Sequence, residues 1–122
     1  MQKIIAAAVL AMGFLSVSAA HAQGKQDFTL TNKTGYDISE VYVAPSASKD
    51  WEEDVMGRDV LANGEAVDIS FERGQSTCKY DLKVIYSDDN SSAEWSGFDL
   101  CKVSKITILY NRNTGVTSAR YE

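Results

Sequence analysis

Cys78-Lys79-Tyr80-Asp81-Leu82-Lys83-Val84-Ile85-Tyr86 is the stretch whose reading decides the fold. Cys78, Tyr80, Leu82, Val84 and Tyr86 fall on one face, with Lys79, Asp81 and Lys83 opposite, which is the period of two of a half-buried strand. Working outward, Val67, Ile69 and Phe71 alternate with Asp68, Ser70 and Glu72, and Phe28 and Leu30 alternate with Thr29 and Thr31. Ile38 to Ala44 reads as a strand in which the spacing Ile38, Val41, Val43 skips a beat, the mark of a bulge, and Pro45 ends it because it cannot donate to a ladder. Glu94 to Leu100 is a weaker strand interrupted by Gly97. Ile106, Ile108 and Tyr110 share a face of the next, and Val116 to Tyr121 is the last. Val60 and Leu61 form at most a brief strand before the Asn63-Gly64 turn signal.

One segment breaks the alternation. Between Ser46 and Arg58, Asp50 followed by Glu53 resembles a helix N-cap with its reciprocal partner, and Gly57 suits a helix end, so Trp51 to Met56 is expected to form one or two helical turns. So short a helix needs docking, here through Trp51, Val55 and Met56. Short strands at spacings near ten residues, with turn residues between them and at most one short helix, predict an all-β fold. The expectation is a single small antiparallel β-sandwich, Ig-like or C2-like, of about seven to eight strands with one disulfide; a small closed barrel is the rival.

The chain has 122 residues, and its first 22 have the composition of an export signal. Met1-Gln2-Lys3 is a basic start, Ile4 to Val17 is almost wholly apolar, and Ala20-His21-Ala22 gives the small-x-small cleavage pattern. The apolar run is too short to span a ~30 Å hydrocarbon core comfortably. The expected organisation is therefore a cleaved signal peptide at 1–22 and one domain at 23–122, in the periplasm of a Gram-negative bacterium. Cleavage leaves 100 residues, 11 basic and 17 acidic side chains and a net charge of -6, because Lys3 is removed from the 12 basic residues of the whole chain. It also removes His21, the one histidine, and with it Ser-His-Asp or Cys-His catalysis and any imidazole metal ligand. In an oxidising compartment Cys78 and Cys101 are expected to form a structural disulfide, closing a loop of about 24 residues and stabilising the fold by roughly 3.5 kcal/mol.

The acidic balance, with a pI near 4.8, argues against nucleic acid, whose binders need a basic patch to release counterions. It also argues against anionic membrane surfaces, and no membrane insertion is expected after cleavage. Three groups of residues bear on chemistry. The acidic loop Asp50, Glu52, Glu53, Asp54 and Asp59 is either a solvated, helix-capping loop or, if its oxygens converge, a calcium site. Paired carboxylates for glycoside hydrolysis have little room in so small a sandwich, and Ser48 beside Lys49 is poorly placed for a serine nucleophile. Trp51 and Trp95 lie in loop or weak-strand regions, where aromatic rings either stack on sugars and anchor partners or plug the sandwich ends. The sequons Asn32-Lys33-Thr34 and Asn90-Ser91-Ser92 carry no meaning in a bacterial route.

Several pieces in order, Asn32-x-Thr34-Gly35, Val41-Tyr42-Val43-x-Pro45-Ser46, Trp51-x-x-Asp54-x-x-Gly57, Leu61-x-x-Gly64, Cys78-x-Tyr80-Asp81-Leu82 and Asp99-Leu100-Cys101, resemble a family of small exported bacterial β proteins. The likeness runs over roughly residues 28 to 101. Where that family often has Trp-Gly followed by Asp-Leu-Leu-Gly, this chain has Glu52 after the tryptophan and Val55-Met56 before Gly57. The resemblance implies a disulfide-bearing β domain and no particular activity.

Size, disulfide, lack of histidine and acidity together favour binding over catalysis. The expectation is a non-enzymatic periplasmic binding or accessory protein, of inhibitor, immunity or envelope-accessory type, that recognises a basic protein partner in the cell envelope. Its candidate surface is Trp51, Glu52, Glu53, Asp54, Asp59 and Trp95, with no cofactor and no metal. The alternative is a calcium- or glycan-binding sandwich module.

Overall fold

The alternating segments become seven strands: β1 (Phe28–Asn32), β2 (Ile38–Pro45), β3 (Ala66–Ile69), β4 (Lys79–Tyr86), β5 (Ser92–Asp99), β6 (Lys105–Asn111) and β7 (Val116–Tyr121). The computed structural model describes residues 24–122; the expected export segment, residues 1–22, lies outside them. The strands form two sheets, ordered β3-β1-β6-β7 and β2-β4-β5. Their inward side chains make one core, with Leu30, Ile106 and Ile108 from the first sheet meeting Ile38, Val41, Leu82, Val84 and Tyr86 from the second. The chain is thus a small all-β sandwich, and its sheets stay separate rather than closing into a barrel. Each fully buried aliphatic side chain in it contributes roughly 1.5–3 kcal/mol relative to exposure.

One pair departs from the antiparallel expectation: β1 and β6 run parallel, with Leu30 opposite Ile106 and Asn32 opposite Ile108. Parallel neighbours need a long crossover, and here the whole of β2 to β5 supplies it. Constant-type immunoglobulin domains place the first two strands side by side, whereas here β1 and β2 belong to opposite sheets. The bulge expected in the second strand is present, as a register shift between Ile38 and Glu40. A second bulge, between Tyr80 and Leu82 of β4, faces Gly97, whose φ of 75° is a left-handed value that glycine adopts without strain.

The helix expected at 51–56 does not form; among the described residues there is no helix. The reason is competition for hydrogen bonds along the free edge of β2. The Val55 N–H donates to the Val41 carbonyl at 2.8 Å, and the Asp54 carboxylate accepts from the Val41 N–H at 2.8 Å and the Met56 N–H at 2.9 Å. Pairing with an existing strand outweighs a helix too short to nucleate, so Asp54 rather than Asp50 is the capping residue. Of the three side chains expected to dock, Met56 packs against the core, Trp51 is half-buried, and Val55 is exposed. The brief strand at 60–61 reduces to a single bridge between Leu61 and Ile38.

The Asn32-Lys33-Thr34-Gly35 turn has a structural explanation. The buried Asn32 carboxamide donates to the Tyr36 and Leu61 carbonyls at 2.8 and 3.0 Å. Its oxygen accepts from the Thr34 N–H at 3.0 Å and the Thr34 hydroxyl at 2.6 Å. Three of these four bonds shape the turn itself and one joins it to the Leu61 segment, and burial removes the side chain from any modifying enzyme.

Cys78 and Cys101 form the expected disulfide, with Cα atoms 5.2 Å apart. It joins the start of β4 to the end of β5, neighbours in one sheet, so it staples a hairpin rather than the two sheets. Asp99 accepts from the Cys101 N–H at 3.1 Å beside it. Replacing both cysteines with alanine is expected to lower unfolding stability by about 3 kcal/mol, close to the loop-entropy value, with the midpoint in urea as the measurement. A loss below about 1 kcal/mol would mean that the unfolded hairpin is already constrained.

Candidate functional site

The outward face of the three-stranded sheet follows from the same alternation that builds the core. Because Tyr80, Leu82, Val84 and Tyr86 point inward, Asp81 and Lys83 point out. Register then sets their neighbours: Ala44 lies opposite Asp81, and Tyr42, Lys83 and Glu94 form one row across β2, β4 and β5. The Lys83 ammonium sits 5.9 Å from the centre of the Tyr42 ring, within cation–π range. The Tyr42 hydroxyl donates to the Glu40 carboxylate, and that bond raises the phenol's pKa above its ordinary value.

Over this face the loop after β2 folds back, and between them lies a cleft of about 210 Å³ lined by Pro45, Ser48, Lys49, Asp50, Trp51, Asp81 and Glu94, with Ala44 at its base. Asp81 is held in place by the Ser46 hydroxyl at 2.6 Å and the Gly97 N–H at 2.9 Å. Asp50, Asp81 and Glu94 line it with one lysine, Lys49, so the lining is net acidic beside the half-buried Trp51 indole, and Lys83 lies next to Glu94 outside the lining. The volume is below the ~300–1,000 Å³ of sites for drug-sized ligands, and it suits one inserted side chain or one sugar ring.

The residues expected to form one surface do not all come together. Trp51 lines the cleft, whereas Glu52, Glu53 and Asp59 are exposed and lie outside its lining, and Asp54 is consumed by the β2 edge. Trp95 leaves the set altogether: it is 4% exposed in the core. Its indole N–H donates to the Ser118 carbonyl at 2.8 Å, linking β5 to β7 of the other sheet. An indole buried with its polar end satisfied is a structural anchor. Asp81 and Glu94, which do line the cleft, were not singled out for it, because only strand register brings them beside Trp51.

The acidic loop offers no convergent oxygen set. Among the described residues the one trio of close metal-ligand types is Cys78, Asp99 and Cys101, and both sulfurs are in the disulfide, leaving no thiolate.

A further cluster sits at one end of the sandwich. The Arg112 guanidinium lies 3.6 Å above the centre of the Tyr36 ring and 5.1 Å from that of Tyr86. It also makes a bidentate pair with Asp88, at 2.8 and 3.1 Å, and reaches Asp89 at 3.5 Å. Tyr86 in turn stacks on Tyr110 at 5.4 Å. Burial pushes the Tyr86 phenol well above its usual range, so it stays neutral. Arg112 beside it holds the Asp88 carboxyl below the ordinary carboxylate value. The cluster ties the β4–β5 turn to the β6–β7 hairpin. No local signal in the sequence announces it, since its members are separated by up to 76 positions, from Tyr36 to Arg112.

Comparison with protein-family models, with curated proteins and with solved structures gives no match.

Two outcomes follow from these contacts. Asp54→Ala is expected to cost about 1–2 kcal/mol, as for a lost cap, and to cost the same with or without calcium in a thermal melt. A calcium-dependent loss would instead make Asp54 a ligand. The folded Asp88 carboxyl is depressed relative to the unfolded chain, so its stabilisation is complete above the unfolded carboxylate pKa of ~3.9 and lost as pH falls through the folded value. The stability gap between the wild type and Arg112→Gln, measured by urea titration, should therefore narrow below about pH 4. A gap independent of pH would assign the whole effect to the ring contacts.

Proposed function

We propose that the chain is an exported periplasmic protein, non-enzymatic, that recognises a basic protein partner of the envelope in an inhibitor, immunity or accessory role. The observation that carries this reading is the cleft at Trp51, where an indole and three carboxylates border a space for one side chain. A lysine or arginine of the partner fits there: the cation would meet Asp50, Asp81 and Glu94 and pack on the Trp51 ring, which combines charge complementarity with cation–π attraction. Anchoring through one deep side chain while the surroundings exclude water is how small interfaces concentrate their energy. The net charge of -5 for the whole chain speeds encounter with such a partner and is screened by salt over a Debye length of about 10 Å at 0.1 M.

Export is supported by the 1–22 segment and by the disulfide, which persists in oxidising compartments. Resemblance to the small exported β proteins is consistent with the same setting. A second reading, a glycan module, draws on the same Trp51 ring, since an indole face can stack on a sugar. The calcium version of that alternative lacks converging carboxylates.

Trp51 is half-buried and Trp95 is in the core, so changes in tryptophan emission on binding report mainly on Trp51. Capture of a basic envelope protein from periplasmic extract is expected at low salt, to weaken at moderate salt, and to fall about tenfold or more with Trp51→Ala. Glu94→Gln should reduce it less. Capture that ignores both salt and Trp51→Ala counts against the cleft, and an emission change with neutral glycans but not with a lysine-containing peptide favours the glycan reading.

A further inference from the structure

The bulge between β4 and β5 fixes one wall of the Trp51 cleft. Tyr80 pairs with Phe98 and Leu82 with Trp95, so Asp81 alone faces two residues, Ser96 and Gly97. An extra residue of this kind bends its strand and re-aims the groups beside it. Here the Gly97 N–H donates to the Asp81 carboxylate at 2.9 Å, and Ser46, just past the end of β2, donates its hydroxyl at 2.6 Å. Both bonds end on the same oxygen, Oδ1, and fill its two acceptor positions. Among the described residues Oδ2 has no hydrogen-bond donor, and no ion pair involves Asp81, Asp50 or Glu94.

The three acids that line the cleft are therefore not equivalent. Asp50 and Glu94 are exposed, and among the described residues no hydrogen bond holds either carboxylate. Each must be ordered when a ligand arrives, which subtracts from its contribution. Lys83 also stands opposite Glu94 and draws on its charge. Asp81 is held in advance by the fold, so its contact with a ligand carries less of that cost. It presents one free oxygen instead of two.

We infer that Asp81 makes the cleft selective for lysine over arginine, an inference that rests on the partner reading of the same cleft. A guanidinium binds a carboxylate best as a fork, with two parallel N–H groups on two oxygens, and Oδ1 of Asp81 is already taken. The lysine ammonium is a compact charge with three donors that point apart. It meets Asp81 Oδ2 with one N–H and keeps the others for Asp50 and Glu94, while its methylene stem lies along the Trp51 ring. The space of about 210 Å³ takes one such side chain. Ser46 and Gly97 are positioning residues, acting through Asp81.

The test compares three end-blocked pentapeptides in which glycines flank one central residue: lysine, arginine or Nζ-trimethyl-lysine. Affinity is read at low ionic strength from Trp51 emission and from the amide shifts of Asp81 and Gly97. The lysine peptide is expected to bind about fivefold or more tighter than the arginine peptide. The trimethyl form keeps the charge and the ring contact but has no N–H to give, and should weaken by a similar factor. In Asp81→Asn the side-chain carbonyl can keep both bonds from Ser46 and Gly97 while an NH2 group replaces Oδ2, so lysine binding should fall about tenfold with little change in the melting midpoint. Ser46→Ala frees an acceptor position on Oδ1 and should bring the lysine-to-arginine ratio toward one, which a purely structural role for Ser46 would not do. Equal affinity for the lysine and arginine peptides, full affinity of the trimethyl form, unchanged lysine binding in Asp81→Asn or an unchanged ratio in Ser46→Ala would each overturn the selectivity; if Trp51→Ala still abolishes binding, the cation cleft itself stands. No binding of any of the three peptides to the wild type would overturn both.

Discussion

Everything in this molecule depends on β4, the central strand of the three-stranded sheet, and on the rule that successive side chains of a strand point to opposite faces. Tyr80, Leu82, Val84 and Tyr86 are each 4% exposed or less, and they meet β1 and β6 across the core. Asp81 and Lys83, fixed on the outer face by the same pleat, are thereby placed beside Trp51 and Glu94. A slip of one residue would bury two charges and expose four large apolar groups. The disulfide at the start of β4, the Asp81 hydrogen bond to the Gly97 N–H and the Arg112 pair with Asp88 just after its end all restrain the register of this one strand.

The period of two made β4, β1, β6 and the two-sheet architecture legible, and the broken period at Ile38 to Val43 located a real bulge. These features are local, carried by neighbours in sequence. What was not legible depends on non-local pairing. The 51–56 segment has helix-like caps, yet the free edge of β2, thirteen positions before Asp54, offers better partners. The parallel β1–β6 pair joins residues more than 70 positions apart, such as Thr29 and Lys105. Trp95 looked available because its strand was weak, but Ser118 on the other sheet satisfies its indole N–H. The candidate site divides the same way: Trp51 could be picked out by residue type, whereas Asp81 and Glu94 needed the register.

The two outer faces show why net charge is a poor guide to a surface. Averaged over the chain, acids outnumber bases, 17 against 12. Resolved by face, the β2-β4-β5 side gathers Asp50, Asp81 and Glu94 around an indole, while on the β3-β1-β6-β7 side Lys33, Lys105 and Arg120 line one groove with Thr107, Leu109 and Glu122, and Asp68 lies in the same row as Lys105. At ionic strengths near 0.1 M, charges farther apart than about 10 Å are largely screened. A charged group near one face therefore responds to that face and only weakly to the rest.

The treatment of strand edges bears on why the proposed site lies on a sheet face. An unpaired edge invites any passing strand, and this sandwich blunts several of its edges. The edge of β2 is occupied by Asp54 and Val55, β3 has only four residues, and β5 is bent at the Gly97 bulge and carries Glu94. The remaining edge strand, β7, is drawn toward β5 by the Trp95 bond to Ser118 and carries Arg120. With main-chain pairing discouraged, the proposed partner would be met by side chains projecting from the sheets. The 46–60 loop serves both ends: its Asp54 and Val55 close the β2 edge, and the same fold-back sets Trp51 over the outer face. Loss of the edge contact would therefore disturb the cleft as well, which couples protection against aggregation to the geometry of the candidate site.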